Sequence, residues 1–159
     1  MEQMVPKNEP GRTELRLSPI HLLHRAGQCA GDVFTEEMTG GGLTPRQYAV
    51  LLTVAQNEGL SQTELVERTG IDRSTLADII RRMLKKGLVH RRRTKQDARA
   101  YAVRLTSDGW EALRDAEPAA VHADERILSA LPPAKRQEFL ESLNTIVQSI
   151  GTLNGTSED

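Results

Sequence analysis

SQTELVERTGIDRSTLADIIRRMLKKGLVHRRRTKQDARAYAVRLT, residues 61–106, is the stretch whose reading decides the fold. Ser61-Gln62-Thr63-Glu64 has the form of a capping box, in which serine and glutamate each take the other's orphan backbone N–H. It starts a short helix that ends at Thr69-Gly70. Asp72 or Ser74 caps the next helix, which runs to about Lys86 before Gly87 supplies a left-handed stop. Two helices joined by a glycine-containing turn of about four residues make a helix-turn-helix. Leu88–Arg92 and Ala100–Leu105 then have strand character. The polar loop Thr94-Lys95-Gln96-Asp97-Ala98-Arg99 joins them, so the pair reads as a β-hairpin with a wing-like tip.

The helix from about residue 73 has two unlike faces. Leu76, Ile79, Ile80, Met83 and Leu84 form one stripe; Ser74, Asp78, Arg81 and Lys85 run down the other, flanked by Thr75, Ala77 and Arg82. A major groove admits a helix of this kind, buried behind and polar and cationic in front. N-terminal residues of such a helix reach the base edges, so Arg73, Ser74, Thr75 and Asp78 are candidates for base contacts. Arg81, Arg82 and Lys85 are candidates for phosphates. Asp78 could accept from a cytosine amino group or orient an arginine. Ser61, Gln62 and Thr63, opening the preceding helix, join the candidate DNA-facing set. In the hairpin, Arg91, Arg92 and Arg93 lead in, Lys95 and Arg99 flank the tip, and Asp97 sits between. Arg91, Lys95, Asp97 and Arg99 are the wing candidates. Arg99 suits a narrow, strongly negative minor groove, and Asp97 can fix its arginine neighbours through charge-assisted hydrogen bonds.

Charge segregation supports this reading. The whole chain carries −1, which alone argues against a nucleic-acid binder. Residues 72–104, however, hold eleven Lys or Arg against three Asp, a net +8, and the remainder carries −9. A basic island on an acidic body is the footprint of a phosphate-binding surface, whereas an ordinary solvated face mixes both signs.

Outward from this module the chain is mainly helical. Residues 1–16 are polar with two prolines and a glycine, and are expected to form a flexible arm. Residues 17–42 hold one helix, with Leu22, Leu23, Ala26, Ala30, Val33, Phe34 and Met38 at helical spacing and Gly40-Gly41-Gly42 as its stop. Thr44-Pro45-Arg46-Gln47 opens another capped helix with Tyr48, Leu51, Leu52 and Ala55 inward. Thr106-Ser107 caps a long helix that Pro118 should bend or split. After Leu131-Pro132-Pro133, a last helix carries Phe139, Leu143, Ile146, Val147 and Ile150 on one face, and 153–159 form a tail. That face has no obvious partner inside so small a protomer. The fold class expected is mainly α with a small β-hairpin wing. Aromatic residues are only 3%, so the core must be aliphatic.

Leu43 to Leu113 resembles the MarR family of winged helix-turn-helix regulators. The residues that carry the likeness are Leu43-Thr44-Pro45-Arg46-Gln47-Tyr48, Ser61-Gln62-Thr63-Glu64-Leu65, Ile71-Asp72-Arg73-Ser74-Thr75-Leu76, Lys86-Gly87-Leu88-Val89, and Asp97-Ala98-Arg99 followed by Val103, Leu105, Thr106 and Gly109. Ala98 stands where many members carry a further arginine, so this wing lacks one possible phosphate contact. The resemblance implies a homodimer in which residues 17–42 and 107–152 interlock as dimerisation helices. Residues 43–106 would form the DNA-binding domain, on a palindromic operator with recognition helices about 34 Å apart. It also implies a repressor released by a small effector, such as an aromatic acid or its thioester. His21, His24, Arg25 and Gln28 on the first helix, with Tyr48 and Trp110, are the candidate effector-binding residues.

Other classes fit less well. No nucleophile–base pair, phosphate-cradling glycine loop or metal-ligand cluster suggests an enzyme, and no cofactor or metal is expected. His21, His24 and His122 lack metal-ligand spacing. Cys29, the one cysteine, excludes an internal disulfide; a buried structural role is expected rather than peroxide sensing. A redox-responsive regulator using Cys29, and a winged helix used for protein contacts, are the alternatives. Without an apolar run long enough for a bilayer or a signal peptide, the chain is expected in the cytoplasm, away from membranes.

Overall fold

The computed structural model describes residues 14–39, 42–95 and 101–151. Residues 1–13 of the expected arm 1–16, the expected tail 153–159, and residues 96–100 with Asp97 and Arg99 lie outside these residues. A single 3-10 turn, Leu15–Leu17, precedes α1 (Pro19–Glu37). Then follow α2 (Pro45–Gln56), α3 (Gln62–Thr69), α4 (Arg73–Lys85), β1 (Val89–Arg93), β2 (Tyr101–Leu105), α5 (Ser107–Ser129) and α6 (Pro133–Gly151).

The helix starts follow from local chemistry. Thr44 and Ser61 each form a complete capping box, with Gln47 and Glu64 as partners. Asp72, not Ser74, caps α4. Gly70 closes α3 at φ 68°, the left-handed conformation that a side chain resists. Gly109 is required for a different reason. Its amide caps onto Thr106 Oγ1 at 3.0 Å, and a Cβ built on it would overlap the carbonyl oxygen of Leu88. The first turn of α5 therefore lies directly against the residue that leads into the hairpin. Thr106 adds a second tie, its hydroxyl donating to the Gly87 carbonyl at 2.6 Å.

The main core joins α2, α3, α4, the hairpin and the first half of α5. Val50, Leu51, Leu65, Leu76, Ile80, Met83 and Val103 are its fully enclosed side chains. β1 and β2 are antiparallel in the register Val89↔Leu105 to Arg93↔Tyr101. Val103 N–H also donates to the Leu60 carbonyl at 2.8 Å, which fastens the hairpin base to the segment before α3.

Outside this core the protomer is thinly packed. α1 buries only Phe34, which meets Ala120 and Ala123 of α5. α6 buries no residue at all. α5 runs unbroken through Pro118 rather than splitting there. Pro118 and Arg114 both lie on its exposed side, so the carbonyl freed by the proline can face water. Cys29, expected to be buried, is exposed in the protomer. The stripe of α1 that turns inward passes instead through Ala30, Val33, Phe34 and Glu37.

Candidate nucleic-acid interface and effector cleft

α4 buries Leu76, Ile79, Ile80 and Met83 and turns Arg73, Ser74, Ala77, Arg81, Arg82 and Lys85 to solvent. Its N-terminus is tightly built. Asp72 Oδ1 accepts from the Thr75 backbone N–H and from the Ser74 hydroxyl, both at 2.9 Å. Hydrogen bonds from Thr75, first by its side chain and then by its backbone, and next from Ser74, hold the Asp72 carboxyl down at about 2. Ser74 therefore spends its proton inside the cap and presents an acceptor outward. One turn later, Asp78 is ion-paired to both Arg81 and Arg82, the latter through Nε at 2.8 Å. Of the two roles open to Asp78, the protomer displays the orienting one.

The wing is organised by a residue that sequence reasoning passed over. Directly opposed residues of an antiparallel pair share a face, so Val89, Arg91 and Arg93 lie with Leu105, Val103 and Tyr101. This face is apolar core at the hairpin base and becomes cationic towards the tip. The guanidinium carbons of Arg91 and Arg93 lie 5.4 and 5.8 Å from the centre of the Tyr101 ring. Arg93 Nε also donates to the Tyr101 hydroxyl at 3.4 Å, and this contact lowers the tyrosine's pKa. Arg91 reaches back to Gln62 Oε1 at 3.3 Å, so the wing and the start of α3 are joined through two of the DNA candidates. Ser61 spends its hydroxyl on the cap of α3, while Thr63 and Lys95 are exposed.

The effector candidates are dispersed. His24 and Gln28 line one open cleft with Ile20, Leu23, Gly27 and Arg46. Among the described residues, His21 makes its hydrogen bond through its backbone N–H, in the cap of α1. Arg25 and Trp110 are exposed and line none of the clefts described here. Tyr48 packs at 5.8 Å against Phe34, and burial, then Glu117 and Asp124, push its hydroxyl pKa up. A better enclosed cleft of about 590 Å³ lies between α1, the start of α2 and α5, walled by Gly27, Ala30, Phe34, Ala123 and Ile127 with Arg46 and Asp124 as its charged groups. Arg46, Asp124 and Tyr101 were missed because each matters through tertiary neighbours. Only the family-like run 43–48 pointed towards Arg46.

Beside this cleft, α1 is clamped to α5. Glu37 accepts from Arg126 Nη1 at 2.7 Å and lies 2.6 Å from His122 Nδ1, and Arg126 also reaches Glu36 at 3.0 Å. These contacts, His122 first and Arg126 second, lower the Glu37 pKa.

Residues 41–100 match the MarR family. A transcriptional regulatory protein for the hcr operon of Thauera aromatica is 34% identical over 108 residues, 68% of this chain and 65% of that protein. The chain thus spans just under two thirds of that relative. Transcriptional regulator HosA of Escherichia coli O127:H6 is 32% identical over 107 residues, 67% of this chain and 79% of HosA. Among solved structures, PcaV of Streptomyces coelicolor in complex with its natural ligand superposes with a TM-score of 0.81 at 28% identity, covering 87% of this chain and 97% of PcaV. The repressor CouR bound to a 23-mer DNA duplex superposes with a TM-score of 0.77 at 29% identity, covering 88% and 99%.

Proposed function

This chain belongs to the MarR family, and from that premise we propose that it is a homodimeric transcriptional repressor, working in the cytoplasm, that a small effector releases from a palindromic operator. The observation that carries the reading is the pairing of two surfaces on one rigid module. The cationic face of α4 and the Arg91–Tyr101–Arg93 face of the hairpin both project from the core that α2, α3 and α5 close behind them. A helix for the major groove and a wing for the adjacent groove are thereby held in fixed relation. Arg73, Ser74, Thr75 and Asp78 read or frame the bases. Arg81, Arg82, Lys85, Arg91 and Lys95 neutralise phosphates, Ser61, Gln62 and Thr63 approach the backbone, and Arg99 with Asp97 completes the wing.

The dimer follows from unpartnered apolar surface. Leu17 and Ile20 are 69% and 73% exposed, and Val147 and Ile150 are 63% and 58% exposed. A helix of α6's length with no buried residue gains little in isolation, because amphipathic helices are stabilised mainly by packing. A second copy supplies that packing. The effector acts from the cleft between α1, α2 and α5, where occupancy alters how the dimerisation helices meet the DNA-binding module.

Anisotropy with the chain's own upstream intergenic duplex tests the reading. Binding should weaken steeply with salt, with a log–log slope of about −5 or steeper if six or more phosphates are neutralised. No binding at low salt would favour a winged helix used for protein contacts instead.

A further inference from the structure

The hairpin uses its arginines differently on its two faces. On one face, Arg104 lies 3.6 Å from a Glu58 carboxylate oxygen. On the other, Arg91 and Arg93 pair with no carboxylate among the described residues. They converge instead on the ring of Tyr101. Arg93 stands directly opposite Tyr101 in the register and Arg91 lies on the diagonal, both within reach of an aromatic side chain. Two guanidinium groups brought to one ring repel each other, so an attraction must hold them there. The negative face of the ring supplies part of it. The Tyr101 hydroxyl, accepting from Arg93 Nε at 3.4 Å, supplies more, and Gln62 Oε1 holds Arg91 at a second point.

The two kinds of partner differ in a way that matters to an incoming anion. A carboxylate orients a guanidinium and cancels its charge. A neutral ring orients it and leaves the whole charge in place. Tyr101 is 38% exposed and both arginines are exposed, so that charge faces solvent. While it accepts from Arg93, the Tyr101 hydroxyl keeps its own proton to donate to a phosphate oxygen. Order matters as well. A long side chain loses rotamer freedom when it binds, and one already fixed loses less.

We propose that Tyr101 is the positioning residue of the wing, holding Arg91 and Arg93 as a preformed, uncancelled pair for DNA phosphates. The inference rests on the DNA-binding reading above. It goes beyond that reading by assigning Arg93 to a phosphate and by making one neutral residue responsible for both arginines.

A double-mutant cycle on the full-length protein tests this, with anisotropy on the upstream duplex as the readout. Arg91→Gln combined with Arg93→Gln should make the salt slope shallower by about 1.8, as two lost phosphate contacts require. Tyr101→Leu should weaken binding about tenfold, because two arginines must then be ordered on the DNA. Tyr101→Phe keeps the ring and should stay within about threefold of the unmodified protein. In the R91Q/R93Q background, Y101L should cost less than about twofold, since nothing remains for it to position. An equal loss from Y101L in both backgrounds would show that Tyr101 merely supports the hairpin and would overturn the proposal, as would an unchanged salt slope in R91Q/R93Q. Nitrogen-15 relaxation of the arginine Nε–Hε groups gives a second readout without DNA. Y101L should mobilise Arg91 and Arg93 and leave Arg92, which lies on the other face, as it was. Equal mobilisation of all three, or of none, would also overturn the positioning role. Failure of the unmodified protein to bind any duplex at low salt would instead bring down the functional reading and the phosphate role with it, a failure told apart because the relaxation result stands without DNA.

Discussion

The module from α2 to β2 and the flanking helices α1 and α6 are built from similar apolar residues, yet they use them in opposite ways. The module encloses its leucines, isoleucines and valines within one protomer. α1 encloses one side chain and α6 none. Charge divides along related lines, with +8 between residues 72 and 104 and −9 over the rest. The contrast teaches that one region is finished when the chain folds, whereas the other, in the dimer proposed above, would be finished by a second chain. The finished region can hold a fixed DNA-reading surface. In that proposed dimer the unfinished region could alter geometry, its packing being shared between two copies and beside a cleft.

The contrast can be broken most severely inside the finished module. Gly109→Ala drives a methyl group into the Leu88 carbonyl, where backbone rather than a flexible side chain must yield. We expect a loss of roughly 3 kcal/mol, read as a fall in the thermal midpoint at fixed protein concentration. A midpoint within a degree of the unmodified protein would mean that α5 does not bear on the hairpin as described. Val147→Glu combined with Ile150→Glu strikes the unfinished region instead. This pair should leave far-ultraviolet circular dichroism largely intact while sedimentation shows monomer. DNA affinity should fall about a hundredfold, because the two half-sites are no longer bound as one unit. A persistent dimer would place the interface elsewhere.

How much was legible in the sequence follows the same division. The helix-turn-helix, most of its caps and the hairpin could be read because their signals are local, such as Ser61 with Glu64 and the glycine at Gly70, while the choice of Asp72 over Ser74 as the cap of α4 came from the structure. Strand ends moved by about one residue, to Val89–Arg93 and Tyr101–Leu105. The effector residues were harder, because a cleft between α1, α2 and α5 is made by residues scattered from Gly27 to Ile127. His24 and Gln28 came to a cleft, but Arg25 points away on the exposed side of α1. Tyr101 escaped because a lone tyrosine in a strand reads as ordinary β-propensity. Only the register, which sets it across from Arg93 and beside Arg91, makes it a platform.

The division of charge gives a smaller and sharper test. Arg81→Ala on α4 should weaken DNA binding about tenfold on every sequence and make the salt slope shallower by about 0.9, the signature of one lost phosphate contact. Lys135→Ala, at the start of exposed α6, should leave the slope unchanged. An equal effect from both would show that the acidic body takes part in binding and that the +8 island is not the footprint.

The smallest expected effect separates the two regions by pH. Each contains a carboxyl held below its ordinary value: exposed Asp72 in the module, at about 2, and half-buried Glu37 in the α1–α5 clamp. A carboxyl whose folded pKa is depressed adds stability that is full above its unfolded value and is lost as pH falls through the folded one. For Glu37 the loss begins as pH drops below 4.5, and for Asp72 it begins below 3.8 and is complete only near 2. Glu37→Gln and Asp72→Asn remove the charge and keep the shape, so each should lower the thermal midpoint slightly at pH 7, both sites being solvent-screened. The deficit of E37Q should begin to shrink at a higher pH than that of D72N, because its carboxyl starts from the higher ordinary value. If the two close together, the clamp and the cap are not independent, and the separation of a finished module from an unfinished frame is less complete than their packing implies.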